Sequence, residues 1–194
     1  RVLSDCGVTA IDHQGDKFVL TTATGQVIAN RIVLAAGLGN AGLGQMLGVT
    51  IPVKPIRGQI LVTERVPPIF DIAIEQVRQT EDGTLMIGGS WEDVGFDLGT
   101  TFDVTRRIAD DALHFFPFLK NVRIIRSWSA LRIISPDAAP IYEEVVPGAF
   151  LVTCHSGVSL AAIHANETAE WVAQGAIPHE MACFDRRRFE ASGC

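Results

Sequence analysis

The order of apolar and polar positions predicts a chain that opens on strands. Lys17-Phe18-Val19-Leu20-Thr21-Thr22 is a β-prone run of branched and aromatic residues. His13-Gln14-Gly15-Asp16 before it and Thr24-Gly25-Gln26 after it carry turn chemistry, so the first segment reads as a β-meander. Arg31 to Gly37 follows, and its unbroken apolar centre, Ile32 to Ala36, suits a strand buried on both faces, as in a parallel sheet. Residues 40–47 have room for a short helix, and Pro52 and Pro55 bracket an extended segment. Strand-like runs then occupy Gln59 to Thr63, Ile72 to Arg78 and Thr84 to Ile87, with Asp82-Gly83 as a hairpin turn before the last. Val104, Ile108, Ala112, Phe115 and Phe116 recur at helical spacing, and Pro117 ends that helix. Arg123 to Ile134 predicts one or two strands and Phe150 to Thr153 another. Gly157 to Gln174 predicts the last long helix, with Gly175 at its C-terminal side and Pro178 beyond.

This succession predicts a mixed α/β (α+β) chain. A Rossmann-like layer, in residues 1–50 and 141–194, is interrupted by an inserted antiparallel-sheet domain in residues 51–140.

Composition narrows the functional classes. Over 194 residues, 47% hydrophobic and 20% charged positions allow a buried core. The net charge is −6 with no basic stripe, which argues against nucleic acid as a partner. The one basic cluster, Arg186-Arg187-Arg188, reads as a solvated tail. Cys6, Cys154, Cys183 and Cys194 include no C-x-x-C pair, so no metal site and a reducing compartment are expected. There is no apolar run of membrane-spanning length and no signal-peptide pattern, and the expected location is cytoplasmic. The chain begins on Arg1 and runs almost at once into strand-like residues, which reads as an N-terminally truncated sequence.

Gly37-Leu38-Gly39-Asn40-Ala41-Gly42 has the literal G-x-G-x-x-G form after a buried strand. A dinucleotide crossover needs a helix of about 10–12 residues between parallel strands. Here Gly48 and Pro52 interrupt the space for one. The glycines are therefore read as a strand-to-helix loop, which can still lie beside a ligand at the carboxyl ends of parallel strands. An NAD-binding Rossmann domain stays open as an alternative and requires a full helix between residues 39 and 52.

Two further segments carry candidate chemistry. At Cys154-His155-Ser156-Gly157-Val158-Ser159-Leu160 a strand gives way to a helix beginning near Gly157. A glycine there admits a flat ligand close to the backbone, and a helix N-terminus stabilises negative charge developing on it. An ordinary serine N-cap accounts equally for the same residues. In the other segment, strand alternation places Trp128, Ala130, Arg132 and Ile134 on one face, so Arg132 projects among apolar groups and requires an anionic partner. A substrate carboxylate held bidentately and a structural salt bridge both satisfy it. Cys154 beside His155 reads as a small buried cysteine rather than a nucleophile, and His164 as a packing residue. Trp91-Glu92 either approaches a substrate or is simply a loop of the insert.

Together these motifs resemble the D-amino-acid oxidase superfamily of flavoproteins, which includes glycine oxidase and sarcosine oxidase. The resemblance runs from about Val8 to Phe189. It rests on Ile32 to Gly37, Pro55-Ile56-Arg57-Gly58-Gln59, Asp82 to Gly89, Leu131-Arg132 with Pro136-Asp137, and His155 to Leu160, in the family's order. It implies an FAD-binding domain with an inserted substrate domain. It also implies hydride transfer from the α-carbon of an amino acid or related secondary amine to the flavin, giving an imine that hydrolyses. By position, Val8 would touch the adenine side through its backbone, and Ala36 and Gly37 would lie near the cofactor. His155, Ser156, Gly157, Val158, Ser159 and Leu160 would line the flavin, and Arg132 would hold the carboxylate of a small amino-acid-like substrate.

The sequence departs from the family in several places. The loop at His155–Gly157 lacks the extra arginine of some members. Ala162 and Ala165 replace proline and glycine, and Ile133 follows Arg132 where proline is common. Cys154-His155-Ser156-Gly157 is most similar to the subgroup holding hydrogen cyanide synthase and the opine or hydroxyproline dehydrogenase subunits. That implies a heteromeric dehydrogenase with partner subunits and, through them, peripheral membrane association. No second glycine fingerprint for the FAD pyrophosphate precedes the meander, so the 194-residue chain by itself is expected neither to retain FAD nor to turn over. A non-catalytic subunit on the same fold is the remaining alternative.

Overall fold

The computed structural model describes residues 1–192, and Cys194 lies outside them. The chain forms two compact units: Arg1–Lys54 with the residues from Ile133 onward, and Pro55–Arg132.

In the first unit, β1 (Val8–Gln14), β2 (Lys17–Thr22) and β3 (Gly25–Ala29) make the antiparallel meander. Phe18 anchors it, fully buried and stacked on His13 at 4.3 Å. β4 (Ile32–Leu34) is shorter than the apolar run that forms it, and only one of its faces is buried. Ile32 and Leu34 point into the core, whereas Val33 is 47% exposed, which corrects the expectation of a strand covered on both sides. The short helix α1 (Asn40–Met46) follows and packs on β1. Its seven residues fall short of the about 10–12 a dinucleotide crossover needs, so the NAD reading loses its structural requirement.

The second unit is a four-stranded sheet under one helix. β5 (Lys54–Arg65), β6 (Val77–Gln79), β7 (Thr84–Gly88) and β8 (Ile124–Ile134) lie in the order β6-β7-β5-β8. Gly83, at φ +89°, makes the turn between β6 and β7. The run from Ile72 contributes strand only from Val77, because the residues before it bend. Helix α2 (Phe102–Phe115) packs Ile108 and Ala112 against the sheet, with Asp103 in its first turn and His114 in its last, as the helix dipole favours. Leu61, Val77, Leu85, Ile87, Ile108, Ala112 and Leu119 form this unit's core.

The chain then returns to the first unit. β9 (Ile141–Val146) and β10 (Ala149–Thr153) complete a sheet ordered β4-β10-β9. β10 runs parallel to β4, Phe150 opposite Val33, and antiparallel to β9. One face of this sheet, with Ile32, Leu34, Ile141 and Leu151, packs with Phe18, Val49 and Ile51. Trp171 and Val172 cover Phe150 on the other face but leave Val33 in solvent, which explains the one-sided burial of β4.

The final helical run starts later than its sequence suggests. Residues 157–160 form turns, and regular helix covers α3 (Ala161–Ile163), a π-helical stretch His164–Thr168, and α4 (Ala169–Gln174). Gly175, at φ +80°, closes it, its N–H bonded to the carbonyl of Trp171 at 2.9 Å. Arg31 Nη1 reaches the carbonyl of Ala173 at 2.6 Å and so caps the same end. The arginine cluster is not a solvated tail. Arg186 pairs with the buried Glu143 at 3.2 Å, and Arg188 pairs with Asp137 at 2.8 Å and donates to the carbonyl of Pro140. The partners lie 43 and 51 residues upstream, beyond the reach of local sequence reading. Among the described residues, no helix is long and apolar enough to cross a membrane, and no group of three or more metal-ligating side chains gathers.

Candidate functional site

The parallel pairing of β4 and β10 brings their carboxyl ends to one side of the first unit, the place where α/β sheets take ligands. From β4, the chain turns at Gly37 with φ +61°, and a Cβ there would sit 3.0 Å from Ile133 Cδ1. The positive backbone angle favours glycine here, and a side chain would also press on the Ile133 tip. Asn40 is fully buried and holds this loop, its Oδ1 accepting the Ala36 N–H at 2.8 Å. Its Nδ2 finds no acceptor among the described residues.

From β10, Thr153 is buried with its hydroxyl also unpartnered among the described residues. His155 to Ser159 then form an exposed turn, with Val158 96% exposed. The turn is held by Leu160 N–H to the carbonyl of Ser156 at 3.0 Å, and Ser156 Oγ lies 3.3 Å from His155 Nδ1. Helix begins only after Leu160, which has no side-chain cap bond, so the serine N-cap alternative is not realised. Ala36, Gly37 and His155 to Leu160 thus come to the same end of one strand pair. Val8 stands apart on the meander, half-buried at the start of β1.

Burial raises the Cys154 thiol, the wrong direction for a nucleophile. His164 Nε2 lies 2.9 Å from Tyr142 Oη with the rings edge-on, a polar packing contact.

Arg132 is built into the second unit, half-buried on β8. Gly58, on neighbouring β5, makes room for it: a Cβ at Gly58 would overlap the guanidinium, and one at Gly89 would lie 3.4 Å from Nη2. Nη1 donates to the carbonyl of Ser90 at 2.9 Å, and Cζ lies 5.1 Å from the Trp91 ring centroid. Desolvation pushes this guanidinium down from its ordinary value, yet an arginine remains charged. No carboxylate among the described residues pairs with it, so the structural salt bridge that the sequence left open does not form.

Below that loop lies a buried polar network that the sequence motif did not explain. Arg57, 2% exposed, pairs with Glu92 at 2.6 Å and Asp97 at 2.5 Å, and exchanges backbone hydrogen bonds with Glu92 at 2.9 and 3.0 Å. Gln59 donates from Nε2 to Glu92 at 3.0 Å and accepts the Thr101 N–H at 3.0 Å, while its own N–H donates to Ser90 Oγ at 2.8 Å. Ser90 Oγ donates in turn to Glu92. Burial works to raise the Glu92 carboxyl, but hydrogen bonds from Arg57, Ser90 and Gln59 overcome it and hold it below the usual carboxylate range. The signal was present in the sequence: Arg57 and Gln59 share one strand face between apolar neighbours, and buried polar groups need partners.

Comparison with known proteins agrees with this architecture. The family of FAD-dependent oxidoreductases known as DAO matches residues 1–171. The B subunit of opine oxidase from Agrobacterium tumefaciens is 40% identical over 95% of this chain and 50% of its own length. The hydrogen cyanide synthase component HcnC of Pseudomonas protegens, also a subunit, is 34% identical over 97% of this chain and 48% of its own. The crystal structure of glycine oxidase from Geobacillus kaustophilus superposes with a TM-score of 0.83 at 22% identity, over 94% of this chain and 52% of that one. The chain therefore spans about half the length of the curated relatives it matches. With the family profile covering residues 1–171, the chain belongs to the DAO family of FAD-dependent oxidoreductases.

Proposed function

We propose that the protein carrying this chain oxidises the C–N bond of an amino acid or related secondary amine, with Arg132 as the anchor for the substrate carboxylate. The observation that carries this reading is a half-buried guanidinium, fitted against a glycine, with no carboxylate of its own among the described residues. Its planar fork matches a carboxylate bidentately. Anchoring that group orients the α-carbon, and such alignment accounts for much of the rate in sites of this kind.

FAD suits the first unit. Gly37 and the exposed turn at His155 to Leu160 offer backbone for close approach, and the unpartnered Asn40 Nδ2 and Thr153 Oγ1 mark polar capacity at the same strand ends. Ala36 and Gly37 would contact the cofactor through the β4 loop, His155 to Leu160 would line its ring, and Val8 would contribute backbone from β1. Bound FAD would supply the hydride acceptor. The unit Pro55–Arg132 would then be the substrate domain. Two of the relatives are named as subunits, which supports partner subunits here.

The test is Arg132→Ala in the FAD-loaded protein. Removing one partner of a desolvated charge pair costs about 2–5 kcal/mol. Turnover of a carboxylated amine, as kcat/KM, should fall by roughly 10²-fold or more with flavin content unchanged. Unchanged turnover would eliminate the carboxylate role.

A further inference from the structure

We propose that Trp91 is a positioning residue that sets the direction from which a carboxylate reaches Arg132; this rests on the reading of Arg132 as the carboxylate anchor. Nη1 of Arg132 is already committed to the carbonyl of Ser90 at 2.9 Å, and the indole of Trp91 stands over the guanidinium at 5.1 Å. Among the described residues no acceptor is bonded to Nε or Nη2. With a carbonyl on Nη1 and the Trp91 ring centroid 5.1 Å from Cζ, a carboxylate is directed to the Nε–Nη2 edge, where both of its oxygens can be held.

The way Trp91 is mounted supports a task beyond loop structure. The indole is 58% exposed, yet its two chain neighbours are tied down. Ser90 is 4% exposed and accepts the Gln59 N–H at 2.8 Å. Glu92 is bonded to Arg57 through both backbone and side chain, and to Gln59 as well. A buried ionic network therefore fixes the backbone on either side of Trp91, and the ring carried there stands beside Arg132.

The atoms of Trp91 take no part in bond making; it acts through Arg132. Cation–π contacts change affinity by about three- to thirtyfold between exposed and desolvated settings, and a half-buried guanidinium beside a partly exposed indole falls between them, at about tenfold. The probe is benzoate, with benzamide as its neutral counterpart, titrated into the FAD-loaded protein and followed by the flavin absorbance change. Trp91→Leu should weaken benzoate about tenfold and benzamide by less than about twofold, while Trp91→Phe, which keeps an aromatic face, should stay within about threefold of the native protein. In an Arg132→Ala background, Trp91→Leu should change benzoate binding by less than about twofold, because the group it acts through is gone.

Equal weakening by Trp91→Leu in both backgrounds would overturn the proposal and leave the Arg132 reading standing, as would unchanged benzoate binding in the native background. Preference for benzoate over benzamide that survives Arg132→Ala would instead sink the Arg132 reading itself. Trp91→Phe keeps the comparison decisive if the leucine variant does not accumulate, since loss of the benzoate preference in Trp91→Phe with full flavin content would also contradict an aromatic-face role.

Discussion

Gly58 shows how much one missing side chain can decide. It lies on β5 between Arg57 and Gln59, and its bare Cα is the surface on which Arg132 rests. Gly58→Ala should fold, because strand backbone accepts alanine, but the methyl would overlap the guanidinium and displace it. The expected result is a rise in KM for a carboxylated amine of roughly tenfold or more with a smaller change in Tm, read from steady-state kinetics beside a thermal melt. Equal KM values for the variant and the native protein would mean that Arg132 is not held where it acts. The motif Pro55-Ile56-Arg57-Gly58-Gln59 was visible in the sequence as a unit, but the division of labour within it was not. Arg57 and Gln59 find their partners 35 and 33 residues downstream, and nothing local distinguishes Glu92 from the chain's other acids. Arg132 itself was legible, because an arginine in an alternating apolar strand is an anomaly wherever it occurs. What remained open was whether the anion would come from within, and only the pairing of distant segments decided that.

At the level of elements, local pattern served well where an element is made by its own residues. β2 occupies the run Lys17–Thr22, and the hairpin turns at Asp82-Gly83 as its chemistry demands. The helix predicted from Val104 to Phe116 is found at Phe102–Phe115. Local pattern places the last helix too early because Gly157 and its small neighbours resemble a helix start, whereas the chain spends them on an exposed turn. Its other end was readable, since Gly175 adopts the left-handed geometry that ends helices. Gly175→Ala should cost about 1–2 kcal/mol, from the positive φ and from a Cβ that would meet Arg31 Nη2 at 2.7 Å. Denaturant unfolding would register it, and a cost below about 0.5 kcal/mol would mean that the cap contributes little.

The C-terminal segment is held to β9 and the residues before it by ionic contacts, so acid should loosen it. The Arg188 guanidinium beside Asp137, helped by hydrogen bonds from Ala139 and Ser135, holds that carboxyl down at about 2 against an ordinary 3.8. Because the folded value is the lower one, the contribution is present in full above about pH 5 and is lost as pH falls from about 4 to 2. Asp137 is partly exposed, so screening reduces its worth to about 1 kcal/mol. Asp137→Asn should therefore melt below the native protein at neutral pH, and the two should converge near pH 2. A gap that persists unchanged at pH 2 would assign the difference to something other than this charge.

On the scale of the whole molecule, membership of the DAO family accounts for the mixture of a parallel strand pair and an antiparallel insert. Parallel character was legible in the apolar run at Ile32, but its partner strand was not, because pairing is fixed by topology and not by local composition. β4 and β10 are neighbours in space although the unit Pro55–Arg132 lies between them in the chain. That separation bears on the order of events when the protein forms. Joining the two strands from an unfolded chain closes a loop on the order of a hundred residues, at an entropic cost of about 4 kcal/mol. The intervening unit has its own hydrophobic core and a hairpin to start from. If it condenses first, it replaces most of that loop with a folded body and shortens the search that remains. Pulse-labelled hydrogen exchange during refolding should then find the amides of β6 and β7 protected before those that join β4 to β10, and the reverse sequence would mean that the outer layer assembles without waiting for its insert.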